Sequence, residues 1–90
     1  MGIRVGIIGP RRSHTGTGPY VVRFLKECGC EVLEWTTAEA SLFLTRPTSL
    51  PAVDAVAICS PPATHFDYIS AALRRCVHVF CEKPIVWPRD

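Results

Sequence analysis

Two short stretches of this chain are almost wholly apolar, Ile3-Arg4-Val5-Gly6-Ile7-Ile8 and Asp54-Ala55-Val56-Ala57-Ile58-Cys59, and Val77 to Cys81 reads as a last strand. A strand with one wet face alternates apolar and polar residues; a near-continuous run needs cover on both faces, as in a parallel sheet. Between these runs the period changes. Val21, Phe24, Leu25 and Cys28 recur at i, i+3, i+4 and i+7, one face of a helix. Pro19 stands where the first residue of that helix belongs, and Gly29 where it stops. A second helix over residues 64–75 places Phe66, Ile69, Leu73 and Cys76 on one side, and Thr64 and Asp67 have capping-box spacing. The alternation predicts an α/β fold in three layers: a parallel sheet of about four to five strands between helices.

The middle of the chain shortens that plan. Glu31 to Trp35 reads as a second strand, Ala38 to Leu44 as a short helix, and Arg46 to Pro51 as loop. A full doubly wound half places a longer helix and a further strand here, so the sheet is expected to be abbreviated. Ninety residues make one domain at most. A net charge of +2, with basic residues scattered in pairs, argues against a nucleic-acid partner. No apolar run approaches the length of a membrane span, and no signal-peptide pattern follows Met1-Gly2. Five cysteines, Cys28, Cys30, Cys59, Cys76 and Cys81, make no tidy disulfide framework, and Cys28-x-Cys30 is a poor match to zinc-ligand spacing. Reduced, buried thiols in a cytoplasmic protein without a metal are expected.

Ligands of such sheets bind outside the carboxyl ends of the strands. Three segments fall there: Gly9 to Gly18, Ser60-Pro61-Pro62, and Glu82-Lys83-Pro84. The first, Gly9-Pro10-Arg11-Arg12-Ser13-His14-Thr15-Gly16-Thr17-Gly18, resembles a pyrophosphate loop lengthened after its first glycine. Glycines let the backbone approach a phosphate, and a helix N-terminus favours its charge. Arg11 and Arg12 match phosphate oxygens as forks, or read as solvated surface charge; Ser13 and Thr15 can donate to phosphate or hold the turn. Gly9, Pro10, Arg11, Arg12, Thr15, Gly16, Thr17 and Gly18 are the candidate residues of this loop. The second strand is followed by Thr36-Thr37, with no carboxylate for a ribose 2′-hydroxyl, which either tilts the cofactor from NAD towards NADP, with Thr37 as a contact, or marks a degraded adenosine pocket.

The second half carries a family resemblance. Asp54-Ala-Val-Ala-Ile-Cys-Ser-Pro-Pro-Ala-Thr-His65, a helix, and then His78-Val-Phe-Cys-Glu-Lys-Pro84 resemble the Gfo/Idh/MocA family, as does Ile3-Arg-Val-Gly-Ile-Ile-Gly9 at the start. The resemblance implies a Rossmann-like domain that holds NAD or NADP for oxidoreduction of sugars, cyclitols and related hydroxyl compounds. It places Ser60, Pro61 and Pro62 beside the dinucleotide. Glu82 and Lys83 lie at its nicotinamide end, with Lys83 polarising the substrate hydroxyl or helping to move its proton. Pro84 matches a proline that is often cis. His65 and Asp67 serve the helix start, and His78 lies within the last strand without a catalytic role. Family enzymes continue into an α+β substrate domain. Residues 1–90 are therefore expected to be one dinucleotide-binding domain without that C-terminal half, inactive alone. The rival expectation is a non-catalytic module that associates with itself or a partner, an unpaired sheet edge inviting the contact.

Overall fold

A computed structural model describes residues 2–9 and 18–81. Within them, β1 (Arg4–Ile8) is the hub. It pairs in parallel with β2 (Glu31–Glu34) on one side and β3 (Ala55–Ile58) on the other, and β3 pairs in parallel with β4 (His78–Cys81). The sheet order is β2-β1-β3-β4. Parallel neighbours need crossovers. These are α1 (Gly18–Glu27), α2 (Thr37–Thr45) with a 3-10 turn at Pro47–Ser49, and α3 (His65–Arg74). Four strands is the abbreviated sheet that the sequence implies: α2 and its turn lead straight to β3.

Alternation along β1 divides the core in two. Val5 and Ile7 pack with Ala57 of β3 and with Val21, Val22 and Leu25 of α1. Ile8 faces the opposite layer with Val56 and Ile58, together with Ala40 and Phe43 of α2 and Ala71 and Ala72 of α3. Gly6 shares the pleat phase of Ile8, and a Cβ built on it would lie 2.5 Å from the ring of Trp35. The missing side chain therefore lets the indole lie on β1. From there it reaches Phe43, 5.5 Å away between ring centroids, and fixes α2 to the sheet.

At the opposite end of the strands, Arg4 gathers three of them. Its amide donates to Asp54 Oδ2 at 2.8 Å, its Nε to Glu31 Oε1 at 3.1 Å and its Nη1 to the carbonyl of Ala52 at 3.2 Å. Exposed pairs of this kind contribute about 0–1 kcal/mol each, so the knot sets register more than stability.

Both amphipathic helices keep part of the expected face: Val21 and Leu25 of α1 and Ile69 of α3 pack against the core, but the other members of each stripe do not. In α1 the buried residues are Gly18 and Val22, while Phe24 is 63% exposed and Cys28 lies at the surface. In α3, His65, Ala71 and Ala72 are buried, whereas Phe66 and Leu73 are 56% and 66% exposed. Alanines let α3 approach the sheet closely, and that approach leaves the bulkier Phe66 and Leu73 of the stripe outside. Thr64 does not cap α3 with its side chain; its hydroxyl is committed to Pro61, so the Thr64–Asp67 box does not form. None of the five cysteines is bridged, but Cys28 and Cys76 are exposed and of the five Cys59 alone is fully buried. Among the described residues no helix is long and apolar enough to cross a membrane.

Two helix ends close alike. At α1, Gly29 has φ +86°, its amide donates to Lys26 and that of Cys30 to Leu25, the Schellman pattern. At α3 the same pair of bonds runs from Cys76 to Leu73 and from Val77 to Ala72, but the left-handed residue is Cys76, φ +56°. A Cβ in that conformation costs roughly 1–2 kcal/mol. Cys76→Gly is expected to raise unfolding stability by about 1 kcal/mol in urea melts, and an unchanged or lowered midpoint would contradict this account of the cap.

Candidate functional site

The carboxyl ends of β1, β2 and β3 open on a cavity of about 640 Å³. Its floor is Ile8 and Gly9. One wall is the end of β2 and the start of α2: Glu34, Trp35, Thr36, Thr37 and Ala40. The other is the turn after β3 and the start of α3: Ser60, Pro61, Thr64 and Tyr68.

Each wall has a local cause. On the β2 side, Thr36 is the N-cap of α2. The amide of Glu39 donates to Thr36 Oγ1 at 3.1 Å and the amide of Thr36 donates to Glu39 Oε1 at 2.9 Å. This capping box stops the strand early, so β2 ends at Glu34 and not at Trp35. The absence of a carboxylate at the end of the second strand is thereby corrected. Glu34 is the last residue of β2 and lines the cavity, with Lys26 Nζ of α1 at 3.7 Å from Oε2.

On the β3 side the turn is tied back onto α3. Ser60 Oγ and Thr64 Oγ1 are 2.6 Å apart, and Thr64 Oγ1 donates to the carbonyl of Pro61 at 2.7 Å, which makes Ser60 the donor to Thr64. The amide of Thr64 also donates to Pro61 O. The imidazole of His65, with no exposure to solvent, sets Nε2 2.8 Å from the carbonyl of Ser60. A carbonyl only accepts, so Nε2 carries the proton.

The floor depends on Gly9. Its φ is +75°, and a Cβ there would lie 2.7 Å from Cα of Ser60 and 2.8 Å from its amide nitrogen. The turns after β1 and β3 are in backbone contact, which a side chain would force apart. An anionic chain laid across this floor meets backbone at close range, as a pyrophosphate requires. The described residues thus fit a dinucleotide: a bare glycine floor, a carboxylate at the end of β2, and an open cavity of about 640 Å³.

Of the sequence candidates, Gly9, Thr37, Ser60 and Pro61 line this cavity. Gly18 opens α1 and is buried, and Pro62 begins the 3-10 turn before α3. Pro10, Arg11, Arg12, Thr15, Gly16, Thr17, Glu82, Lys83 and Pro84 lie outside the described residues. Glu34, Trp35, Thr36, Thr64 and Tyr68 line the site without having been singled out as contacts. The signal for the first three was the spacing Thr36-x-x-Glu39, which marks a helix start and limits the strand before it. Tyr68 has no motif to announce it.

Burial raises the Tyr68 phenol above its usual 10.0, and the Asp67 charge adds to the rise. Tyr68 is thus a neutral hydroxyl at the cavity throughout the physiological range. An unfolded chain would release this proton at lower pH than the folded one, so stability contributed by the neutral phenol falls as pH rises past 10. In the Tyr20→Phe variant, where Tyr68 is the remaining tyrosine, phenolate absorbance at 295 nm should develop above pH 10 when folded and earlier in urea. Coincident titrations would contradict a buried environment for the Tyr68 phenol.

Comparison with known proteins gives the site its context. A family model described as "Oxidoreductase family, NAD-binding Rossmann fold" of the Gfo/Idh/MocA type matches residues 24–89. The uncharacterized oxidoreductase YrbE of Bacillus subtilis is 45% identical over 40 residues, 44% of this chain and 12% of that protein. The WlbA (WbpB) dehydrogenase from Thermus thermophilus, solved with NAD and UDP-GlcNAcA, superposes with a TM-score of 0.66 at 22% identity over 96% of this chain and 34% of its own. The apo scyllo-inositol dehydrogenase from Lactobacillus casei superposes at 0.55, with 27% identity, over 97% of this chain and 30% of its own. The chain thus spans about a third of the length of these solved relatives.

Proposed function

The chain belongs to the Gfo/Idh/MocA oxidoreductase family, whose NAD-binding Rossmann fold it carries, and on that premise we propose that it is the dinucleotide half of an oxidoreductase acting on a hydroxyl group of a sugar-like compound. The observation that carries the reading is the Gly9 floor: a positive-φ glycine pressed against Ser60, at the mouth of a parallel sheet, with Glu34 at the end of the neighbouring strand. The sugar-like substrate class is supported by the scyllo-inositol dehydrogenase and by the UDP-GlcNAcA held by the Thermus enzyme.

When bound, the nicotinamide supplies a carbon that accepts or donates hydride. The protein's share is placement. Gly9 and the loop after it hold the pyrophosphate by backbone amides, with Pro10, Arg11, Arg12, Thr15, Gly16, Thr17 and Gly18 as its remaining contacts. Ser60 and Pro61 wall the cavity along which the dinucleotide lies, with Pro62 as the next contact of that turn. Glu82 and Lys83 follow directly on β4, whose last residue, Cys81, is in register with Ile58 just before the Ser60 turn. Lys83 holds or moves the proton of the substrate hydroxyl. This half by itself is expected to bind dinucleotide without turnover.

Glu34 revises the cofactor preference. A carboxylate accepts hydrogen bonds from a ribose diol and repels a 2′-phosphate of roughly two negative charges, so NAD replaces NADP as the preferred ligand; Thr37 keeps its place as a neighbour of the adenosine end. Titration of the Trp87→Phe variant with NADH and with NADPH, followed through Trp35 fluorescence, tests both points. NADH is expected to bind at least fivefold more tightly, and Glu34→Ala to bring the two affinities within about twofold. Saturable binding of neither would overturn the proposal.

A second reading, self-association, has its own observation. Beside β4, the outer strand of the sheet among the described residues, an apolar groove of about 420 Å³ lies between α1 and the sheet, lined by Tyr20, Phe24, Ala57 and Phe80 among others. A second copy pairing along β4 would cover it. Sedimentation at rising concentration separates the readings: a monomer throughout removes self-association, and a dimer indifferent to dinucleotide favours it.

A further inference from the structure

We infer that His65 is a positioning residue for the dinucleotide cavity, acting through the carbonyl of Ser60 on the contact between Ser60 and Gly9. The inference rests on the proposed dinucleotide reading and extends it to a residue that does not line the cavity. Three observations carry it.

The first is the burial of a polar ring at the junction of β3 and α3. His65 is fully enclosed, and its Nε2 donates to Ser60 O at 2.8 Å across five residues of chain. An imidazole in such a place costs desolvation unless its hydrogen bonds are made. An aliphatic residue would fill the space but leave the carbonyl of Ser60 without this donor.

The second is where that carbonyl sits. Ser60 is 6% exposed and begins the turn that walls the cavity. With Ser60 O held by His65 and Pro61 O held by both the amide and the hydroxyl of Thr64, two successive carbonyl oxygens are committed to the start of α3. A phosphate-bearing ligand passing this wall is spared the repulsion of a carbonyl dipole turned towards it.

The third is the Gly9 contact. Cα and N of Ser60 lie where a Cβ on Gly9 would fall, at 2.7 and 2.8 Å. With so little clearance, rotation of the Ser60 peptide is felt directly by the first residue of the glycine loop. The chain of contact therefore runs from His65 to Ser60 to Gly9, from a buried ring to the pyrophosphate floor.

The test uses the full chain and NADH as the probe. His65→Gln retains a donor that reaches the Ser60 carbonyl from the same helix position; His65→Asn retains the amide but falls short; His65→Leu retains bulk and loses the donor. NADH affinity is expected within about twofold of wild type for His65→Gln and at least tenfold weaker for His65→Asn, with His65→Leu at least as weak where it folds. Far-ultraviolet dichroism and thermal melts establish folding for each. Rescue by Gln and not by Asn is the signature of positioning, because a purely structural role would move melting temperature and leave the affinity of folded protein unchanged. Equal NADH affinity in wild type and in folded His65→Asn would overturn the inference while leaving the dinucleotide reading intact. A wild-type chain that does not bind NADH would overturn the reading itself, and the inference with it.

Discussion

The structure turns on a side chain that is not there. Gly6, in the middle of the central strand, leaves a gap that the ring of Trp35 occupies, and a single methyl group would collide with it at 2.5 Å. The indole belongs to the residue after β2 and packs on Phe43 of α2, so this one contact joins the central strand, its neighbour and a helix. It also lines the ligand cavity. The strand that supplies the floor of the site and the core that stabilises it therefore share a component. Overpacking at such a point costs roughly 1–3 kcal/mol, felt in fold and cavity alike.

The cavity walls are short connections held by polar side chains that spend their bonding capacity on the backbone. Thr36 and Glu39 fix the start of α2, while Ser60, Thr64 and His65 fix the start of α3. Among the described residues no buried side-chain nitrogen or oxygen lacks a hydrogen-bond partner. That economy suits a binding site. A dinucleotide is large and charged, and walls whose dipoles are already committed do not need to reorganise to receive it.

Much of this was legible in the chain. Near-continuous apolar runs mark β1 and β3, and the stretch Val77 to Cys81 marks β4, to within a residue or two; Gly29 marks the end of α1. The Ser60-Pro61-Pro62 turn was located because a strand ended on it. Helix phase was legible only in part: Val21, Leu25 and Ile69 pack as their spacing implies. Phe24, Phe66 and Leu73 have the right spacing and the wrong side, since hydrophobicity counts bulk while close packing against a sheet rewards Ala71 and Ala72. Glu34 is hidden in the sequence because Trp35 continues the apolar run, although the capping pair Thr36 and Glu39 ends the strand before it. Tyr68 and His65 acquire their places from the crossing of α3 over the sheet, a tertiary fact with no local signature.

The Arg4 knot has a further consequence, in time. Arg4 meets Glu31 across 27 residues of chain but Asp54 across 50. Closing the longer loop costs more entropy, and a parallel sheet cannot shorten it. As the chain leaves the ribosome, β1, α1 and β2 can assemble as one unit, covering Val5 and Ile7. The far edge of β1 and its Ile8 face must wait until β3 and α3 have emerged. During that interval the central strand has an open edge, the condition in which nascent chains are most in need of a chaperone.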